Sequence, residues 1–328
     1  VTASASAKPH PGAESRLEHF PIALFSTVMG MAGLSIAWIK AAHVGGAPAV
    51  IGESLRLLTS GLYVFLLIVY AMKLLRHPDA VAAEHSHPVR LNFFPAISIG
   101  LILLSIAWTS TAPGVARYMW GMGVIAHLLF TLSAMSSWIH HTHYDIKHAN
   151  PAWFIPVVGN ILVPIAGVRY APPDISWFFF SIGLVFWLVL LTIVLYRLFF
   201  HEALPARLTP TLFILIAPPA VGFISYLALT DSLDGAARVL YFVALFLTLL
   251  LASNALRFLR LPFFISAWAY SFPLAAMAIA TFEMHVRSGL AFYAGLGWAL
   301  LALLSAVVIV LSWKTLIAAK REQICVPE

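Results

Sequence analysis

The residues best equipped for chemistry form one tight group. His140, His141, His143, Asp145 and His148 follow one another closely, and His77, His85 and His87 lie upstream. Imidazole and carboxylate are common ligands of zinc and iron. A metal-dependent catalytic centre also needs partners that orient those ligands and an open position for substrate. One clustered run with scattered neighbours supplies neither. The run therefore reads first as interfacial histidines. A membrane metalloenzyme built on His140, His141, His143 and His148 is a remote alternative, and no cofactor or resident metal is expected. The sole cysteine, Cys325, excludes an internal disulfide and a cysteine-rich metal site. There is no phosphate-binding glycine loop, nucleophile elbow or nucleotide motif, so a non-enzyme without ATP or nucleic-acid partners is expected.

The elements that would carry these side chains are hydrophobic. Of 328 residues, 61% are apolar or aromatic and 10% are charged, against roughly 45–50% and about 25% in soluble domains. Too few charges exist to cover a water-soluble core of this size. The composition predicts an all-α polytopic membrane protein, because the apolar stretches are continuous rather than alternating. About 20 apolar residues cross a bilayer as a helix. Ten stretches meet that length, at roughly 20–40, 54–75, 91–110, 116–139, 151–168, 175–197, 208–230, 237–257, 261–284 and 289–314. The expected organisation is a polar N-terminal segment over 1–19, a transmembrane domain over 20–314 and a tail over 315–328. The first segment lacks a cleavable signal, so span 1 is expected to act as its own insertion signal. With both termini and the loops after even spans on one side, 13 of the 19 Lys and Arg residues gather there. The positive-inside rule then places both termini in the cytoplasm, with the protein in the cell (inner) membrane.

Proline distinguishes two kinds of span. Pro21, Pro95, Pro156, Pro164, Pro218, Pro219 and Pro273 fall in spans 1, 3, 5, 7 and 9, and the even spans have none. Proline removes a backbone donor and bends or breaks a helix; in lipid the freed carbonyls need protein or water partners. The pattern predicts five helical hairpins, each with a bent inner and a straight outer helix, around a central path. Pro21, at a helix start, bends nothing. Between the interfacial ends of the spans no Asp, Glu, Lys or Arg is expected, the nearest being Arg117 and Glu283. That argues against a cation channel, a proton pump and an acid-driven transporter. Basic residues at the cytoplasmic mouth and the N-terminal ends of broken helices favour anions. The lumen is expected beside Gly30, Gly33, Ser35, Ser98, Gly100, Gly159, Asn160, Gly222, Ser225, Ser271 and Ala275, with ordinary helix packing as the competing role. His127, the ionisable group deep in a span, reads as a neutral histidine bonded to a neighbouring helix, with proton sensing as the alternative.

Span 9 carries Trp268-Ala269-Tyr270-Ser271-Phe272-Pro273. This stretch resembles the ninth helix of the family that joins plant guard-cell slow anion channels to the bacterial tellurite-resistance protein TehA, with malate and other dicarboxylate permeases and sulfite exporters. His87-Pro88-Val89-Arg90, Pro151-Ala152-Trp153-Phe154-Ile155-Pro156 with Asn160, Ala217-Pro218, and Gly30 with Leu34-Ser35 and Trp38 agree in order and spacing. The resemblance covers about Phe20 to Lys314. It implies ten helices as five hairpins with quasi-five-fold symmetry, odd helices lining one pore per subunit, a homotrimer, and a plug that by position is Phe272. It also implies small inorganic or organic anions as partners, beside membrane lipid. The long regulatory tails of the plant members have no counterpart in the residues at hand, so kinase-type gating is not expected. The resulting expectation is a gated passive channel for monovalent anions such as chloride or nitrate. A carrier or exporter of dicarboxylate, sulfite or tellurite-related anions is the alternative.

Overall fold

A computed structural model describes residues 13–140 and 144–326, with backbone alone for 13–15. Segment 1–12, the pair 327–328, His141 and His143 lie outside the described residues. Every regular element among the described residues is helical. Ten helices are long and apolar enough to cross a membrane: Ile22–Val44, Ala49–Arg76, Arg90–Trp108, Pro113–His140, Pro151–Tyr170, Pro173–Phe200, Thr209–Thr230, Gly235–Ala252, Ile265–Ser288 and Ala291–Lys320, numbered spans 1 to 10. A short helix, Pro78–Ser86, fills the loop between spans 2 and 3.

The proline pattern corresponds to two constructions. Each even span is one continuous α-helix. Each odd span begins as a 3-10 helix and changes to an α-helix: Ile22–Leu24 before Phe25–Val44, Arg90–Phe93 before Ala96–Trp108, Thr209–Ile216 before Ala217–Thr230, and Ile265–Tyr270 before Ser271–Ser288. Span 5 changes three times, ending in the α-helix Val163–Tyr170. Pro95 precedes one α-segment, and Pro164, Pro218 and Pro219 occupy the opening positions of two others. Those positions need no intrahelical N–H, so the prolines set where each α-segment starts. Pro156 lies inside the α-segment Phe154–Val158, and Pro273 is the third residue of its own.

Side chains bond to carbonyls at these interruptions. The Ser98 hydroxyl donates to Pro95 O at 2.8 Å, Thr131 to Pro156 O at 2.7 Å, Asn160 Nδ2 to Val157 O at 2.7 Å and Trp120 Nε1 to Val163 O at 3.0 Å. Ser225 donates to Ile161 O across the contact between spans 7 and 5.

Burial follows the same alternation. The odd spans are 61–83% buried and the even spans 28–39%. Adjacent odd spans touch in the order 1, 3, 5, 7 and 9, and span 9 closes on span 1. Each even span packs on its odd hairpin partner and presents exposed Leu, Val, Ile and Phe outward.

One expectation needs correcting. Spans 2, 4 and 6 run to 28 residues and span 10 to 30. The longer helices enclose Arg56, Lys73 and Arg197, all buried. Each has a local partner, although Arg56 Nε and Arg197 Nε are buried without one. Arg56 Nη1 donates to Thr111 Oγ1 at 2.6 Å, with its guanidinium 4.1 Å from the Trp108 ring centroid. Arg197 donates to Glu202 O at 2.6 Å, and Lys73 pairs with Glu84.

Candidate functional site

The inner ring encloses a cavity of about 70 Å3. Its wall draws on all five odd spans: Ser26 and Met29 from span 1, Phe93 and Ile99 from span 3, Phe154, Val158 and Gly159 from span 5, Pro218 and Val221 from span 7, and Phe272 and Pro273 from span 9. The side chains are almost all apolar, so the cavity offers an ion little to replace its water. Phe272 is half-buried, one turn from residues that are fully enclosed. It stands early in the α-segment that starts at Ser271, and Pro273 follows it. Its seat depends on Gly33: a Cβ there would stand 3.4 Å from Phe272 Cδ2 and 2.8 Å from Ala275 Cβ.

The small residues expected along a lumen mostly do something else. Among them Gly159 borders this cavity. Gly30 faces Ser271, with 2.1 Å between its missing Cβ and Ser271 Oγ, and Gly33 faces Ala275, so these four form the seam between spans 1 and 9. Ser35 donates to Gly52 O at 2.8 Å, joining spans 1 and 2. Gly100 meets Val28 and Tyr63, and Gly222 meets Ile161 and Leu240. Ser98 shares a 2.9 Å hydrogen bond with His127 Nδ1, Asn160 donates to Thr131 Oγ1 at 2.9 Å, and Ser225 holds span 5. Close helix approach selects the same residue types as an open lumen does. Of the prolines, Pro218 and Pro273 reach the cavity wall, and Pro95, Pro156, Pro164 and Pro219 are buried behind it.

A second, larger cavity of about 510 Å3 opens at the end of the bundle that carries Glu18 and Val326. Phe93 and Ser266 belong to the walls of both cavities, so the two adjoin. The larger one is lined by Lys73, Arg90, Arg207, His19 and His87 against Glu18 and Glu84. Gln323, Ile324 and Val326 also border it. Burial pushes the nearby Cys325 thiol up, and the charges of Arg16 and Lys73 oppose that shift.

At its edge is a buried polar cluster that the composition does not announce. Glu84 accepts from Lys73 Nζ at 2.7 Å, from the Tyr70 hydroxyl at 2.9 Å and from Ile22 N–H at 3.3 Å. Lys73 also donates to Phe20 O at 2.8 Å. The cluster ties spans 1 and 2 to the short helix Pro78–Ser86. Pro78 with Asp79 is a helix-start signal that could have located Glu84.

Of the histidine run, His140 and His148 are among the described residues. His140 is exposed and bonded to Ser136 O at 2.9 Å, and His148 Nδ1 accepts from Asp145 N–H at 3.1 Å. Among the described residues no three His, Cys, Asp or Glu side chains come together as metal ligands would.

Residues 19–316 match the family described as "SLAC1: Voltage-dependent anion channel". The chain is 30% identical over 275 residues to the S-type anion channel SLAH3 of Arabidopsis thaliana, covering 81% of this chain and 43% of that protein. It is 26% identical over 277 residues to the guard cell S-type anion channel SLAC1 of the same plant, covering 81% and 50%. It is 27% identical over 286 residues to the tellurite resistance protein TehA homolog of Haemophilus influenzae, covering 84% and 85%. The chain thus spans about half the length of the plant relatives it matches.

Proposed function

The chain belongs to the SLAC1 family of voltage-dependent anion channels, and on that basis we propose that it is a gated, passive channel for small monovalent anions such as chloride and nitrate. The carrying observation is the half-buried Phe272 in an apolar cavity bordered by all five inner spans, next to a basic basin. In this reading the basin is the cytoplasmic mouth, with both termini on that side of the cell membrane. Its arginines raise the local anion concentration. The Phe272 ring then blocks the way, because an ion that cannot keep its water in a narrow apolar tube meets a high barrier. Pro273 and the Gly33 seat fix the direction of the ring. One such pore runs through each subunit of a homotrimer.

The test is current through planar bilayers or oocytes with ion replacement. Phe272→Ala is expected to raise anion current strongly and Phe272→Leu to raise it less, in proportion to the space opened. A Phe272→Ala protein that inserts normally and conducts no more than the parent overturns the gate. Saturable counter-flow, or a reversal potential that follows a pH gradient, would identify a proton-linked carrier instead.

A further inference from the structure

A serine or threonine hydroxyl in a helix commonly donates to a carbonyl three or four residues back. On the inner spans the hydroxyls of Thr27, Ser98, Ser271 and every other serine and threonine but one donate to a backbone carbonyl. Ser26 is the exception: among the described residues its hydroxyl has no hydrogen-bond partner. It is half-buried and lines the apolar cavity that holds Phe272. The other polar side chains of that wall are engaged elsewhere, Ser266 with Arg207 O and Trp268 Nε1 with Thr315 Oγ1. Span 1 enters from the basin, which Pro21, Ile22 and Ala23 border, and Ser26 is the second residue of its α-segment. One turn further on, Gly30 faces Ser271, the residue before Phe272. Ser26 thus stands about one helical turn nearer the basin than the ring.

An apolar cavity takes water from an ion and gives little back. One water needs about 10–15 Å3 of such space, and the cavity has about 70 Å3, so there is room for a chloride-sized ion with the ring in place. The adjoining basin carries Arg90 and Arg207, which favour anions over cations at the entrance. We propose that the Ser26 hydroxyl is the hydrogen-bond donor that holds a partly dehydrated halide or nitrate ion in this cavity, on the basin side of Phe272. The inference rests on the channel reading above and names the contact that reading lacks. A single neutral hydroxyl offsets part of the lost hydration, and its hold is weak enough for the ion to move on once the ring turns aside.

The test uses the full chain carrying Phe272→Ala, reading conductance against chloride concentration on the basin side and the nitrate-to-chloride permeability ratio. Ser26→Ala removes the donor with little change of volume, and Ser26→Thr keeps a hydroxyl. Loss of a hydrogen bond to a charged group corresponds to about a tenfold change in affinity. Ser26→Ala is expected to raise the half-saturating chloride concentration about tenfold and to shift the permeability ratio, with Ser26→Thr staying within about threefold of the background. The hydroxyl bonds to nothing in the fold, so the melting midpoint of Ser26→Ala is expected to match the background. A lowered midpoint would reveal a structural bond and overturn the assignment. Unchanged saturation and selectivity in Ser26→Ala, in a channel that still conducts, would overturn it and leave the gate intact. Equal shifts in the Ala and Thr variants would overturn it too, by tracing the effect to packing. No anion current from any variant, the Phe272→Ala background included, would overturn the channel reading and this inference together.

Discussion

Lys73→Met breaks the buried pair at the basin edge without emptying its space. Glu84 is 5% exposed and Lys73 1%, with 2.7 Å between Nζ and Oε2. After the substitution the carboxylate keeps the Tyr70 hydroxyl and Ile22 N–H, and Phe20 O loses its donor. Removing one partner of a buried pair leaves an uncompensated charge and costs about 3–5 kcal/mol. Lys73→Met is therefore expected to lower the unfolding free energy by about that amount. Combining it with Glu84→Gln is expected to restore most of the loss, because no charge is then left buried. The assay is a double-mutant cycle on purified protein in mild detergent, with unfolding followed by tryptophan fluorescence. A coupling below about 0.5 kcal/mol, the range of exposed pairs, would refute the view that this pair is desolvated and clamps the start of span 1.

Gly30→Ala places a methyl group where Ser271 Oγ lies 2.1 Å away. It is expected to destabilise the span 1–span 9 seam by about 1–3 kcal/mol, read as a lower melting midpoint, and Ser271→Gly on the same chain is expected to recover part of it. The Asp234 carboxyl lies below the usual carboxylate range because the Tyr226 hydroxyl and Ala237 N–H donate to it. A depressed value stabilises the fold above the ordinary carboxylate range, and that contribution is lost as pH falls through the folded value. The melting midpoint is expected to drop from about pH 6 to about pH 3 by less in Asp234→Asn than in the parent; equal slopes would contradict the assignment.

Much of the fold is legible because lipid admits few solutions. Ten apolar runs gave the spans to within a few residues at most ends, since length and hydropathy alone decide them. Proline placement separated the inner from the outer helices because a broken helix needs protein partners, and Thr131, Asn160 and Ser225 supply them. The roles of small residues were less legible. Gly30 and Gly33 pack against Ser271 and Ala275, and Gly159 reaches the cavity, yet nothing in their local sequence distinguishes the two situations. Which neighbour a glycine admits depends on helix rotation, a long-range property. Charge was misread for a similar reason. Lys73 stands near a helix end, and only the fold of Pro78–Ser86 brings Glu84 onto it.

Four of the five outer helices are also longer than every inner one. At about 1.5 Å per α-helical residue and about 2 Å per 3-10 residue, spans 2, 4, 6 and 10 are about 42–45 Å tall, span 8 about 27 Å, and the inner spans, at 19–24 residues, about 30–39 Å. Those four staves are taller than the barrel's throat. On the channel reading proposed above, the basin that adjoins the inner cavity at Phe93 and Ser266 lets water in from one side and shortens the dry part of an ion's path. On that same reading, transmembrane voltage, worth about 2.3 kcal/mol per unit charge at 100 mV, would fall mainly across the dry stretch around the Phe272 ring.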